Sequence, residues 1–373
     1  MLPAIAKHRF SLADVMPSCL ASLSGHPDSL GFGPSSKIVV VVVDGLGTHP
    51  LLARAGHART LASRITRATT IDAGFPSTTA SALSTLTTGV APGIHGMVGY
   101  SVLDPANDRV VNQLSGWDGL MIPEAWQQTP TVFETAAEMG IRSYIVAPEK
   151  YRASGFTRAV LRGAHYIGAG GIDDRFEKTR ALLDSIATGL VYLYIPELDM
   201  AAHAHGNESL EWTQKLEVVD HNVDRFASLL KKGERMLVTA DHGGLDIPGR
   251  SHVVLEAGSP LFDGVRHVAG EPRCLQLHLE ADADAGAVVS RWSDEEGGRA
   301  WVFTRDDAID RGIFGSRVGA DARSRMGDVF IAARARVAYY DDRAAQHSGR
   351  KMVGQHGSFT PEETSIPLVR FGT

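Results

Sequence analysis

The sequence predicts an α/β protein, with a mostly parallel central sheet flanked by helices and an inserted α+β lid subdomain. Three observations predict it. Residues 38–43 are an unbroken β-branched run, Ile-Val-Val-Val-Val-Val, closed by Asp44-Gly45-Leu46-Gly47. A strand without a polar face is one covered on both sides, as in parallel sheets. Strand-like runs then alternate with helical patterns as far as residue 240, which is the rhythm of crossover connections. After Pro248 the pattern shifts to short alternating segments, and the earlier character returns near His347. The expected division is a core of residues 1–248 and 346–373 with a lid of 249–345.

The elements follow in order. Residues 1–35 are a lead-in whose end is loop-like, with Gly25, Pro27, Gly31, Gly33 and Pro34. A crossover helix is expected over 51–65 and a second strand over 67–71. Residues 75–89, Phe-Pro-Ser-Thr-Thr-Ala-Ser-Ala-Leu-Ser-Thr-Leu-Thr-Thr-Gly, read as a turn entering a short helix. Pro76 biases Phe75 away from helix, Ser77 or Thr78 can cap the start, and Gly89 suits the end. Residues 90–130, rich in Gly, Pro, Asn and Asp, read as long loops over a site. A helix over 131–139, a strand over 143–147, a helix over 172–187 and a strand over 190–195 follow. Leu216, Val219, Val223, Phe226 and Leu230 mark one face of an amphipathic helix. The strand 235–240 runs straight into Asp241-His242-Gly243-Gly244. In the lid, strands are expected at 275–279 and 329–332, with helices near 283–293 and 305–311. The final apolar run is 366–369.

Composition narrows the function. Net charge is −6, with no basic run or tail, so no nucleic-acid-binding surface is expected. No run approaches the ~18–20 apolar residues of a membrane span. Lys7 and Arg9 precede Asp14 and Pro17 without an apolar leader segment. Two cysteines, Cys19 and Cys274, read as thiols of a reducing compartment. The expectation is a cytoplasmic protein without a membrane partner; oligomeric state stays open.

The residues able to do chemistry fall at the ends of strands. Asp44 follows one apolar strand, and Asp241 and His242 follow another. Ligands of open parallel sheets sit just beyond those carboxyl ends. Asp199 lies four residues after Ile195, His203 follows at i+4, and His356 sits in a late glycine-flanked loop. Three carboxylates and three imidazoles suit two divalent cations, Zn²⁺ first and Mn²⁺ also fitting. Such a pair can hold the attacking and leaving oxygens of a displacement. Thr79 supplies a hydroxyl nucleophile at a helix start, where an anionic group is favoured.

The ordered set Val-Val-Asp-Gly at Asp44, Thr79 with Gly89 ten residues on, His95-Gly96, Asp199-xxx-His203, Asp241-His242-Gly243 and Gly354-Gln355-His356-Gly357 resembles a known family. It is that of the alkaline phosphatase superfamily, in its nucleotide pyrophosphatase/phosphodiesterase branch. The resemblance spans about residues 37–248 and 347–370. It implies an alkaline phosphatase-like core, with one metal held by Asp44, Asp241, His242 and Thr79. The other metal would be held by Asp199, His203 and His356. It further implies a phosphoryl-Thr79 intermediate, hydrolysed by water from the leaving-group side. The expected substrate is a small phosphoester or nucleotide-like molecule carrying a phosphodiester or phosphoanhydride bond.

Two departures stand out. Where the branch places an Asn that donates to a phosphoryl oxygen, this chain has Tyr100, whose phenol could donate the same bond. The Phe-Pro pair precedes Thr79 instead of following the nucleophile, so Thr78 is the alternative; the ten-residue step to Gly89 favours Thr79. No Arg lies between Arg67 and Arg109 to pair with a doubly charged phosphoryl group, which favours a singly charged substrate. Rivals are a phosphomonoesterase or phosphonate hydrolase on the same site, and a metal-binding scaffold without turnover. Arg266, His267, Arg273 and His278 of the lid are expected to be surface or structural residues.

Overall fold

The β-branched run forms β1 (Lys37–Val43), with six of its seven residues buried. The computed structural model describes residues 8–343 and 348–372. The lead-in's first seven residues, the expected lid–core junction at 345/346 and His347 lie outside them. Before β1, helix α1 (Leu12–Leu23) lies in the lead-in, ahead of its loop-like end. Asp14 caps its start from within, and Pro17 is accommodated inside it.

The core sheet has seven strands: β1, β2 (Thr70–Asp72), β3 (Ser143–Pro148), β4 (His165–Ala169), β5 (Gly189–Ile195), β6 (Glu234–Thr239) and β11 (Ser365–Phe371). Their order is β2-β11-β6-β1-β5-β3-β4. From β6 to β4 all pairs are parallel, and β11 runs antiparallel to both its neighbours. Val43 lies opposite Ile195 and Val42 opposite Thr239. The chain therefore leaves β5, β1 and β6 side by side, which is where the site forms.

Helix α2 (Thr79–Thr88) follows the Phe75-Pro76 turn, and all ten of its residues are buried. Gly89 ends it at φ +69°, and a Cβ there would meet Pro17 Cγ at 2.5 Å. Helices α3 (Ile172–Ser185), α4 (Glu197–His205) and α5 (Leu210–Ser228) cover the sheet. Of the predicted face of α5, Leu216, Val219, Val223 and Phe226 are buried, while Leu230 falls beyond the helix's end at Ser228 and is half-buried.

Three expectations are corrected. The single helix over 51–65 is two short ones, Thr48–Ala53 and Arg59–Ala62. Gly56 falls in the gap, and the second helix is capped from α5: the Asp220 carboxylate accepts the N–H groups of Thr60 and Leu61 at 3.1 and 2.8 Å. The second strand begins only at Thr70, after a turn in which Thr66 caps Thr69. The 90–130 region contains a hairpin, Ser101–Asp104 with Arg109–Asn112, besides its loops.

Beyond Pro248 lies a second sheet of four antiparallel strands, ordered β7-β8-β10-β9. They are β7 (Val265–Glu271), β8 (Cys274–Leu279), β9 (Ala300–Thr304) and β10 (Val329–Ala333). Leu275, Leu277, Val329 and Ile331 pack with Trp292 and Tyr339 on one face. Cys274, Phe330 and Ala332 pack on the other with Phe75, Val98 and Phe314. Phe75 therefore packs this cap onto the turn that precedes α2, and it also stacks on Phe359 at 3.8 Å.

Candidate active site

Two groups of side chains meet at the carboxyl ends of β1, β5 and β6. Asp44, Asp241 and His242 form the first; Asp199, His203 and His356 form the second. Within each group the potential ligand atoms lie within 4.8 Å of one another. His242 Nε2 is 3.4 Å from Asp44 Oδ1 and 3.4 Å from Asp241 Oδ2. His203 Nε2 is 3.1 Å from Asp199 Oδ2, one helical turn away on α4. The His242 and His356 rings stack at 3.6 Å and join the groups.

Each imidazole is held by its other nitrogen. His203 Nδ1 lies 2.8 Å from the Gly354 carbonyl, His242 Nδ1 2.9 Å from that of Gly243, and His356 Nδ1 2.8 Å from that of Ser77. A carbonyl only accepts, so Nδ1 carries the proton and Nε2 keeps its lone pair for a cation. Asp44 Oδ1 and Asp241 Oδ2 are buried without a hydrogen-bond partner. Buried carboxylate oxygens are rarely left so. Two orphaned carboxylate oxygens, each 3.4 Å from His242 Nε2, are what a divalent cation satisfies, so these residues fit one.

The electrostatics point the same way. Burial, then the charges of Asp241 and Asp199, push the Asp44 carboxyl well above the usual carboxylate range. Burial, then Asp199, push Asp241 up to about 6. Burial and the adjacent His242 push His356 down to about 3. Without cations, Asp44, Asp241 and His356 thus resist carrying charge, whereas Asp199 and His203, despite their burial, favour each other's charged forms.

Thr79 is the first residue of α2, after Thr78 as N-cap. Its hydroxyl lies 3.1 Å from His242 Nε2. The Thr78 hydroxyl instead faces the Glu271 carboxyl of the cap. Tyr100 is 38% exposed, and its backbone N–H donates to Glu271 Oε2 at 3.1 Å. His95 lies apart from both groups: it is buried, with Nε2 3.0 Å from Thr85 Oγ1 and Nδ1 accepting the Met97 N–H. Of the basic cap residues, Arg266 and His267 reach Asp108, at 3.1 and 2.9 Å. Arg273 is buried against Glu363, and His278 is buried within the cap.

Sequence reasoning missed Tyr194. Its hydroxyl donates to Asp44 Oδ2. The one available signal was a tyrosine next to the last residue of an otherwise mainly aliphatic strand. Tyr194 also lines a cavity of about 500 Å³ with Trp117, Tyr151, Phe156 and Tyr166. An aromatic-walled space is thus linked to the first group through the Tyr194 hydroxyl.

A family model described as type I phosphodiesterase / nucleotide pyrophosphatase matches residues 38–359. Among solved structures, human ectonucleotide pyrophosphatase / phosphodiesterase 5 superposes with a TM-score of 0.69 at 16% identity, covering 90% of this chain and 88% of that one. Phosphonoacetate hydrolase from Sinorhizobium meliloti 1021, solved with phosphonoacetate, gives 0.68 at 17% identity, covering 90% of each chain. These likenesses show a shared fold. A phosphopentomutase of Anaeromyxobacter dehalogenans (strain 2CP-C) is 31% identical over 116 residues, which are 31% of this chain and 28% of that protein. The chain therefore matches less than a third of the length of this curated relative.

Proposed function

The chain belongs to the type I phosphodiesterase / nucleotide pyrophosphatase family, and from that premise we propose that it hydrolyses a phosphodiester or phosphoanhydride bond through a phospho-Thr79 intermediate at a two-metal site. The observation that carries the proposal is the Thr79 hydroxyl at the start of α2, 3.1 Å from His242 Nε2 and beside orphaned oxygens of Asp44 and Asp241. Asp44, Asp241, His242 and Thr79 would hold one divalent ion, and Asp199, His203 and His356 the other. Zn²⁺ suits this nitrogen- and oxygen-donor set best. When bound, the ions supply Lewis acidity, lowering the pKa of the Thr79 hydroxyl and offsetting charge on the transferring group.

The chain's own residues do the rest. Thr79 Oγ1 gives up its proton and forms the new bond to phosphorus as the bond to the leaving oxygen breaks, and the leaving oxygen departs with the bonding electrons and takes up a proton. The unpaired N–H groups in the first turn of α2 face the same anion and favour its charge. Water then attacks phosphorus, its oxygen going to the released phosphate and a proton returning to Thr79. Tyr100, which stands where the family places its phosphoryl-oxygen donor, would donate from its phenol. The aromatic cavity beside Tyr194 offers stacking surfaces for a nucleoside-like leaving group. Murine ectonucleotide pyrophosphatase / phosphodiesterase 5 was solved with AMP, which is consistent with such a substrate. Cys19 and Cys274 are both free and buried, which supports a reducing compartment and our placement of the protein in the cytoplasm.

Likeness to phosphonoacetate hydrolase motivates a second reading, phosphonate hydrolysis on the same residues. Rates of zinc-loaded protein on bis-nitrophenyl phosphate, nitrophenyl phosphate and phosphonoacetate separate the two. Preference for the diester supports the proposal. Preference for the monoester or the phosphonate overturns it.

A further inference from the structure

One residue that neither the fold nor the proposed chemistry has used is linked by hydrogen bonds, through intervening residues, to both ligand groups. Glu363 lies in the short helix Pro361–Thr364, and its side chain is fully buried. Its carboxylate is gripped by the cap: Arg273 Nε and Nη2 donate to Oε1 and Oε2 at 3.1 and 2.8 Å. Arg273, also fully buried, spends a further nitrogen on the Ala335 and Val337 carbonyls at 2.5 and 2.8 Å.

From Glu363 the contacts run two ways. Its Oε1 accepts the Ser358 N–H at 3.0 Å. The Ser358 carbonyl accepts from Ser77 Oγ at 2.8 Å, Ser77 Oγ accepts the Gly357 N–H at 3.1 Å, and the Ser77 carbonyl takes His356 Nδ1. In the other direction, the Glu363 carbonyl accepts the Gly243 N–H at 2.8 Å. Gly243 is the residue whose own carbonyl fixes His242 Nδ1. The same cap turn leans on the loop a second time, because Glu271 packs on Gly357. That glycine has φ +131°, and a Cβ there would meet Glu271 Cγ at 2.4 Å.

A fully buried ion pair adds little stability over an apolar pair of the same volume, so stability alone does not account for it. We propose that Glu363, held by Arg273 of the cap, is a positioning residue that sets His356 and His242 for cation binding. The inference rests on the two-ion reading above. Partners behind a ligating histidine are worth about 10- to 100-fold in metal affinity.

The test is Zn²⁺ affinity of the full chain, stripped and retitrated against a competing chelator, with thermal unfolding of the metal-free form alongside. Glu363→Gln keeps the shape and loses the charge; Arg273→Lys keeps the charge and loses the fork. Trp292→Phe, a change in the separate cap core, is the control. We expect Zn²⁺ affinity to fall about 10- to 100-fold in Glu363→Gln, and less in Arg273→Lys, while the control keeps wild-type affinity. Wild-type affinity at both sites in folded Glu363→Gln overturns the proposal, as does an equal loss in the control. Should Glu363→Gln not fold, Arg273→Lys decides by the same two outcomes. A wild type that takes up no divalent ion overturns the two-ion reading and this proposal with it.

Discussion

Replacing Asp241 by Asn should stabilise the metal-free protein while removing its capacity for Zn²⁺. Asp241 Oδ1 accepts the N–H groups of Gly45 and His242 at 3.1 and 3.0 Å. Its Oδ2 has no partner and lies 3.4 Å from His242 Nε2. An Asn keeps the first oxygen in place and substitutes a donor for the second, next to Asp44. The charge it removes is one the fold resists, since burial and then Asp199 raise the Asp241 carboxyl from 3.8 to about 6. A carboxyl bound more tightly by its proton in the folded state contributes fully only below the unfolded pKa. That contribution is lost as pH rises through the folded pKa. Wild-type metal-free protein should therefore lose stability between about pH 4 and pH 7, by roughly 3 kcal/mol at ~1.36 kcal/mol per pKa unit. Asp241→Asn should lose less, keeping only the loss that comes from the buried Asp44 carboxyl. At ~2.1 cal/mol/K per residue over the whole chain, that is a Tm gap of about 4 °C at pH 7.5. Thermal unfolding in chelator at pH 5 and 7.5 measures it, and a Zn²⁺ titration shows the opposite ranking. A variant no more stable than wild type in chelator at pH 7.5 would refute the reasoning.

Other substitutions probe separate contacts. Tyr194→Phe removes the hydroxyl donor to Asp44 and should weaken Zn²⁺ binding by about 10- to 100-fold, with the fold intact by circular dichroism. Trp117→Ala opens one wall of the aromatic cavity and should raise KM about tenfold for a nucleotide diester while sparing a small methyl ester, seen in steady-state kinetics. Gly357→Ala forces a side chain into a left-handed backbone position against Glu271; a loss of about 1–3 kcal/mol is expected in denaturant unfolding.

How far the site was legible depends on the range of the signal. Asp44, Asp241 and His242 announce themselves because each ends an apolar run, and strand ends in a parallel sheet converge. Asp199 and His203 are legible as an i,i+4 pair after a strand. His356 carries no local signal beyond the glycines that flank it, which were enough to make it a candidate but not to place it. Tyr194 and Glu363 take their meaning from partners far away in sequence, Asp44 in one case and Arg273 in the other, so a linear reading passes over them. The same limit governs the fold. The α5 stripe is periodic and was readable. The broken helix over 51–65 was not, because its second half depends on a cap from Asp220. Helix α1 was not singled out, because the lead-in gave only the loop signal of its Gly- and Pro-rich end; Asp14 caps that helix from within. The hairpin at 101–112 had a local signature, paired apolar residues around Pro105-Ala106-Asn107-Asp108, hidden in a region whose composition read as loop.

The central claim is that Thr79 carries the phosphoryl group. The direct measurement is acid-quenched turnover of bis-nitrophenyl phosphate by Zn²⁺-loaded protein, followed by peptide mass mapping. The account predicts a nitrophenyl-phosphoryl group on Thr79, formed with the burst of nitrophenolate and absent from Thr79→Ala, whose turnover falls about 10⁴-fold. A label on Thr78, or full turnover in Thr79→Ala, would contradict it.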